Sequence, residues 1–297
     1  MNHIKDQIRC GAAYRLGLTG KGIGVAVLDT GIFLHRDFDS RVTGFADMVN
    51  GKNFAYDDCG HGTHICGIIG GSGRMSGGRY SGIAPGCNLI MVKVLDRKGN
   101  GYSSDVLAGI SWVLERKEQL GIRILNISVG ACSKRGMSEN SALVKGVNRA
   151  WDAGLVVVVA AGNNGPRTMS ITTPGISRKV ITVGCSDDDR EVLVGGNRMV
   201  DYSGRGPTAA CICKPDLVAP GCSVVSCSSR ADKYTIKSGT SMSTPIVSGA
   251  VALLLERFPD MSNKDVKLRL RESSVDIGLP RNQQGWGLLD VGKMLER

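Results

Sequence analysis

Leu155-Val156-Val157-Val158-Val159-Ala160-Ala161-Gly162-Asn163 is an unbroken apolar run that stops at a glycine and a polar side chain. A run this short has the length of a strand, and without polar alternation it belongs to a strand buried on both faces. Comparable runs occupy residues 22–28, 88–95, 122–128 and 180–185. Residues 103–119 and 140–153 carry apolar side chains at helical spacing, and further helices are expected over 241–257 and 262–272. Apolar strands alternating with amphipathic helices indicate an α/β fold, a mainly parallel sheet with helices on both faces. Ligands of such sheets collect at the carboxyl ends of the strands. Asp29, Ser128 and Asn163 each end an apolar run there.

The chain has 297 residues, 42% hydrophobic and 22% charged, an ordinary globular balance. Without a composition break, repeat or low-complexity linker, it reads as one domain over 1–297. The net charge of +10 is scattered, with no basic run interleaved with aromatics, so a nucleic-acid partner is not expected. No apolar run approaches the roughly 20 residues of a membrane span, so no membrane partner is expected either. Met1-Asn2-His3-Ile4-Lys5-Asp6-Gln7 is polar with no signal-peptide core behind it, and His3 falls in a loose terminus. The ten cysteines are accordingly read as reduced thiols and the compartment as the cytoplasm. Residues 186–197, with Asp187-Asp188-Asp189, read as an exposed loop whose acidic turn is solvated rather than calcium-binding.

Four histidines are present, and a hydrolase working near neutral pH often needs one as general base. His35 has no obvious partner. His61 and His64 lie in Gly60-His61-Gly62-Thr63-His64, before the apolar run 65–69. Glycines around His61 at a helix start leave its ring free for a cleft, whereas His64, one turn on, points into packing. Asp29 ends Val25-Ala26-Val27-Leu28-Asp29 and needs a partner such as an imidazole N–H. Ser241, in Ser238-Gly239-Thr240-Ser241-Met242-Ser243-Thr244-Pro245, opens a helix, among unpaired N–H groups. Its plainer reading is an N-cap. Asn163, in Ala160-Ala161-Gly162-Asn163-Asn164-Gly165, is either a turn former or an amide donor to an oxyanion. Cys59, His61, His64 and Cys66 also have zinc-ligand character, but zinc there would occupy the base. No phosphate loop follows the first strand, which sets aside a nucleotide-binding protein.

Together Leu28-Asp29-Thr30-Gly31, His61-Gly62-Thr63-His64 and Gly239-Thr240-Ser241-Met242-Ser243-Thr244-Pro245 resemble the subtilases, and the resemblance runs from about residue 9 to 294. It implies a subtilisin-like three-layer fold and a serine endopeptidase with Asp29, His61 and Ser241 in hydrogen-bonding sequence, and Asn163 in the oxyanion hole. By the same resemblance Ser241, not Ser243, is the nucleophile. Peptide or protein substrates would lie as an added strand between Ser128-Val129-Gly130 and Lys98-Gly99-Asn100-Gly101. Ala160, Ala161 and Gly162 would wall the S1 pocket, with Asn164 at its rim and Thr172 near its floor, and no acidic residue to select a basic side chain. No cofactor is implied for catalysis and no metal ligand is assigned. The family is compatible with structural calcium, but residues 70–79 offer two arginines and no carboxylate where many relatives hold it. Extracellular members carry a long prodomain ahead of the catalytic domain, whereas here the match begins within the first ten or so residues: either a prodomain has been removed or the enzyme folds without one, as some cytoplasmic members do. Cys59 beside the imidazole suggests sensitivity to thiol reagents. The rival of another class is a catalytically silent, subtilase-shaped scaffold.

Overall fold

Every residue of the strand Gly24–Asp29 (β1) is buried, as a strand covered on both sides must be. The computed structural model, which describes residues 1–130 and 139–296, sets it inside a seven-stranded sheet. The other strands are Val42–Asp47 (β2), Asn88–Lys93 (β3), Ile122–Ile127 (β4), Val156–Ala160 (β5), Ile181–Cys185 (β6) and Leu217–Ala219 (β9), in the order β2-β3-β1-β4-β5-β6-β9. All neighbours run parallel. After β1 the chain goes to the edge strand β2, returns through β3 beside β1, then crosses to the other side of β1 with β4. The crevice at this reversal of strand order is where open α/β sheets bind ligands. Asp29 at the end of β1 and Ser128 just past β4 flank it.

Four helices supply the outer layers: His61–Gly70 (α3), Ser103–Arg116 (α4), Ala142–Asp152 (α5) and Thr240–Arg257 (α6). α3 packs on α6, and α4 packs on α5. Strand alternation sorts them: a Cβ on Gly62 of α3 would meet Met91, while one on Gly109 of α4 would meet Val92 and Val94. α6 is buried on nearly every side, so it is apolar all round rather than amphipathic. Pro245 lies within it and lacks the N–H that the Ser241 carbonyl would otherwise accept. Ser141 caps α5, accepting from Val144 N at 3.3 Å. Asn2–Gln7 (α1), Gly11–Arg15 (α2), Asn263–Ser273 (α7), Arg281–Gln284 (α8) and Val291–Met294 (α9) complete the α-helices of the described residues.

Two stretches depart from expectation. The opening residues are held in place: Met1, Ile4 and Ile8 join the core and Lys5 Nζ donates to Ser81 Oγ at 2.6 Å. Residues 186–197 are not simply an exposed loop. Val192–Val194 (β7) and Asn197–Met199 (β8) pair as a hairpin turning at Gly195 and Gly196, both with positive φ. Asp188 is buried and its Oδ2 accepts from Ser203 N at 2.7 Å, while Asp187 Oδ1 accepts from Gly221 N at 2.7 Å. The carboxylates fold inward because each satisfies backbone N–H groups that would otherwise be stranded. Beyond β9, Val224–Cys227 (β10) and Tyr234–Lys237 (β11) form a second antiparallel pair.

Candidate active site

Gly60 caps α3 in the left-handed region, φ +86°, and turns the chain so that His61 is the first helical residue. Asp57 holds that turn: its Oδ1 accepts from Cys59 N (3.1 Å), Gly60 N (2.8 Å) and Thr30 Oγ1 (2.9 Å), and its Oδ2 from Thr63 N (2.9 Å) and Thr63 Oγ1 (2.6 Å). A Cβ on Gly62 would sit 2.2 Å from the Gly31 carbonyl, so only glycine lets the helix start lie against the end of β1. The result brings His61 Nδ1 to 2.8 and 3.0 Å from the two oxygens of Asp29. A carboxylate only accepts, so Nδ1 carries the hydrogen and Nε2 is left with its lone pair. Burial pulls the pKa of His61 down, but the charge and hydrogen bond of Asp29 outweigh it and the net shift is upward; Lys237 opposes them. His64 is fully buried, with Nε2 3.1 Å from Val224 O, and burial, then the charges of Lys237 and His61, push its pKa down to about 3. It is a neutral packing residue.

Ser241 is the second residue of α6. Its Oγ donates to the Ser128 carbonyl at 2.7 Å rather than to His61. The expected unbroken sequence of hydroxyl, imidazole and carboxylate is therefore half formed here: imidazole to carboxylate is made, and the hydroxyl has taken a carbonyl acceptor within its reach. Ser243 is fully buried and its Oγ has no partner, which removes it as a nucleophile. Asn163 Oδ1 accepts from both Thr240 N and Thr240 Oγ1 at 3.0 Å, so its NH₂ is aimed by its own oxygen's partners. Thr240 Oγ1 also accepts from Gly162 N at 3.2 Å. Gly239 has φ +137° and ψ 164°, a region open essentially to glycine alone, and a Cβ there would lie 3.2 Å from Asn163 Nδ2.

These groups line one cavity of about 450 Å³, with His61, Ser241, Asn163, Lys237 and Gly195 of the β7–β8 turn on its wall. Leu95, Lys98, Gly99, Ser128, Val129, Gly130, Ala160, Gly162, Asn164 and Thr172 continue the lining. A neighbouring cavity of about 220 Å³ takes in Asn100, Gly101, Val106, Ile127 and Leu143 and shares Leu95, Gly99, Val129 and Gly130. Of the expected pocket residues only Ala161 fails to line either cavity. Along an extended chain alternate side chains point oppositely: Ala160 faces the cavity, and Ala161 packs with Val144, Ile171 and Ile176 behind it. Its carbonyl still holds the floor, accepting from Thr172 N at 2.9 Å.

Residues 20–287 match the subtilase family. The chain belongs to the subtilase family. It is 42% identical over 290 residues to the serine protease AprX of Bacillus subtilis, across 92% of this chain and 65% of AprX's length. It is 34% identical to subtilisin BL of Lederbergia lenta across 96% of this chain and 95% of that protein. Among solved structures, sphericase superposes with a TM-score of 0.77 at 31% identity, covering 92% of this chain and 93% of its own. A cold-adapted subtilisin-like serine proteinase does so with 0.75 at 29%, covering 92% and 90%. Subtilases of this kind are serine endopeptidases, and the fold is the three-layer subtilisin-like one.

Sequence reasoning passed over several residues on which this subtilase's site is built. Asp57 and Thr30 clamp the start of α3, and Thr240 aims Asn163. Lys93, fully buried, donates to the carbonyls of Thr30 (2.6 Å) and Leu95 (2.8 Å) and to Asp58 Oδ1 (2.8 Å). Asn126 bridges Ser248 of α6 to Ser128, at 2.9 Å each, tying α6 to the end of β4. Asp57 was findable, since Asp57 followed by Gly60 before a helix is a capping signal; the others depend on contacts distant in sequence. His35 does have partners: it is buried, with Nε2 3.2 Å from Lys233 O and Nδ1 accepting from Asp37 N at 3.1 Å. Among the described residues two groups bring metal-ligating atoms together, His35 with Asp37 and Cys227, and Cys185 with Asp187 and Cys222. The Cys59, His61, His64, Cys66 set is not one of them, because helix geometry turns His61 and His64 to different surroundings. Burial, with the Asp57 and Asp29 charges, pushes the Cys59 thiol up against the lowering hydrogen bond from the His61 N–H. No helix among the described residues is long and apolar enough to cross a membrane.

Proposed function

We propose that this serine endopeptidase cuts peptide chains with Ser241 as nucleophile, His61 as general base and Asp29 as the group that holds the imidazole. The observation that carries the reading is the His61 Nδ1 contact to Asp29 at 2.8 Å on the wall of the cavity that also holds Ser241 and Asn163. In this reading, rotation of the Ser241 side chain takes Oγ from the Ser128 carbonyl to His61 Nε2. His61 then removes its proton as Oγ attacks the scissile carbonyl, and returns it to the leaving amine. Asp29 stabilises the imidazolium without taking the proton. The oxyanion is met by Asn163 Nδ2 and the Ser241 N–H at the positive end of α6. Water repeats the sequence on the acyl-enzyme. No cofactor enters these steps.

The substrate lies as an extended strand between Ser128-Val129-Gly130 and Gly99-Asn100-Gly101, its P1 side chain entering between Ala160 and Gly162 toward Thr172. The charged side chains on the described wall of that cavity, beyond His61, are Lys98 and Lys237. Charge therefore gives a basic P1 residue no advantage. The compartment we propose is the cytoplasm, a reading supported by nine described cysteines that are all free thiols. There the enzyme degrades unfolded proteins or processes a precursor peptide. Structural calcium has no donors among residues 70–79 beyond backbone and hydroxyl groups. A fluorophosphonate probe tests the reading: it labels the folded protein and not Ser241→Ala. A folded protein that resists the probe and cleaves neither casein nor a peptide library is the scaffold instead.

A further inference from the structure

Behind the nucleophile turn, two sulfurs and a carboxylate converge that the peptidase mechanism does not use. Cys185 ends β6, Asp187 follows it, and Cys222 lies between β9 and β10. One ligand atom from each lies within 4.8 Å of the others. The Cys185 thiol donates to Asp187 Oδ1 at 3.1 Å and the Cys222 thiol to the Asp187 carbonyl at 2.7 Å. The Tyr202 hydroxyl is 3.2 Å from one sulfur and 3.1 Å from the other. Cys185 and Tyr202 are sealed from solvent, while Cys222 and Asp187 are half-buried and leave an approach.

We propose that Cys185, Asp187 and Cys222 form a binding site for a thiophilic d¹⁰ divalent ion, zinc or its analogue cadmium, with the Tyr202 hydroxyl or a water in the fourth position. Two thiolates and one carboxylate suit these ions in tetrahedral geometry, whereas calcium and magnesium need oxygen donors. The thiol hydrogens already point at the acceptors a cation would displace them from. Binding releases both as protons, so M²⁺ and two thiols give the dithiolate complex and two H⁺. Both sulfurs lie against oxygen acceptors, and a metal ion displaces thiol protons on binding. The site is also mechanically close to the chemistry. Asp187 Oδ1 accepts from Gly221 N and Cys222 N, and the Gly221 carbonyl accepts from Gly239 N at 3.0 Å. A Cβ on Gly221 would strike Ser243 Oγ at 2.4 Å and Cys185 Sγ at 2.8 Å, so no slack separates the two.

The test is a cadmium titration of reduced protein, with Ser241 blocked by a phosphonate and the exposed Cys211 and Cys213 changed to serine. The cadmium–thiolate ultraviolet absorption is followed. One site is expected, its affinity rising about a hundredfold per pH unit as two protons are released. Cys222→Ser and Cys185→Ser should each weaken it by at least about tenfold, and Cys59→Ser should not. Cys222 is half-buried, and an unchanged metal-free melting temperature shows that its variant folds. Zinc should raise the melting temperature of the parent but not of Cys222→Ser. Equal affinity in parent and Cys222→Ser overturns the proposal, as does loss on Cys227→Ser alone, which assigns the ion to the His35 group. So does the lack of any thiolate band at saturating cadmium.

Discussion

His61 carries two opposing influences that can be separated by experiment. Asp29 holds its pKa up and Lys237 holds it down, with the balance above the ordinary imidazole value. General-base catalysis needs the neutral ring, so kcat/KM should rise with pH along a limb centred above 6.5, the reference value for histidine. Removing the positive charge with Lys237→Gln favours the imidazolium, and the limb should move to higher pH; a pH–rate profile measures both. At the oxyanion side, Asn163→Leu keeps the size and loses the donor. Its kcat should fall by about 10²–10³, the cost of such a donor in enzymes of this family, with KM little changed. Thr240→Val should act in the same direction through Asn163, as a positioning residue, and more weakly than Asn163→Leu. Steady-state kinetics on one peptide series compares the two.

Helix starts do the positioning at the scale of elements. α3 and α6 both begin after a glycine with positive φ, Gly60 and Gly239, and both deliver a functional side chain within their first two residues. A helix N-terminus is polar and accessible where the helix body is buried, which is why His61 and Ser241 reach the cavity while His64 and Ser243 do not. His64 makes this contrast measurable. Its pKa of about 3 in the folded chain lies below the 6.5 of an exposed histidine. Unfolding therefore takes up a proton between these values, so stability from this ring is full above 6.5 and is lost as pH falls through that window. The loss is about 1.4 kcal/mol per pH unit. Chemical unfolding of a Ser241→Ala form at pH 7, 6 and 5 should follow this slope more closely than that of Ser241→Ala/His64→Gln.

At the scale of the molecule, the strand ends that meet at the reversal of sheet order are locked by buried polar bridges. Lys93 joins β3 to the residue after Asp29, and Asn126 joins β4 to α6. In Lys93→Met the half-exposed Asp58 stays solvated, but the Thr30 and Leu95 carbonyls lose their donor. That should cost about 2–4 kcal/mol, read as a lower urea midpoint at an unchanged m-value. Because Thr30 also anchors the start of α3, kcat should fall in the same variant. An unchanged kcat would separate the sheet bridge from the site.

Local order in the sequence marked five strands of the sheet, β1 and β3 to β6, the helices α4 to α7 and the layer class, because burial on two faces leaves runs such as 155–161 without polar alternation; the edge strands β2 and β9 and the two antiparallel pairs are too short or too exposed to leave such a run. It also marked Asp29, His61, Asn163 and Ser241, because a strand end or a helix start must announce itself with glycine and a polar residue. Tertiary structure decided what spacing cannot carry. It left Ser241 on the cavity wall and buried Ser243, turned Ala161 away from the cavity by strand alternation, and drew Asp187 and Asp188 inward onto Gly221 and Ser203. Asp57, Thr240 and Lys93 likewise gained their roles from partners far along the chain. A contact between residues distant in sequence leaves no period to read, so it exists only once the sheet has brought its ends together.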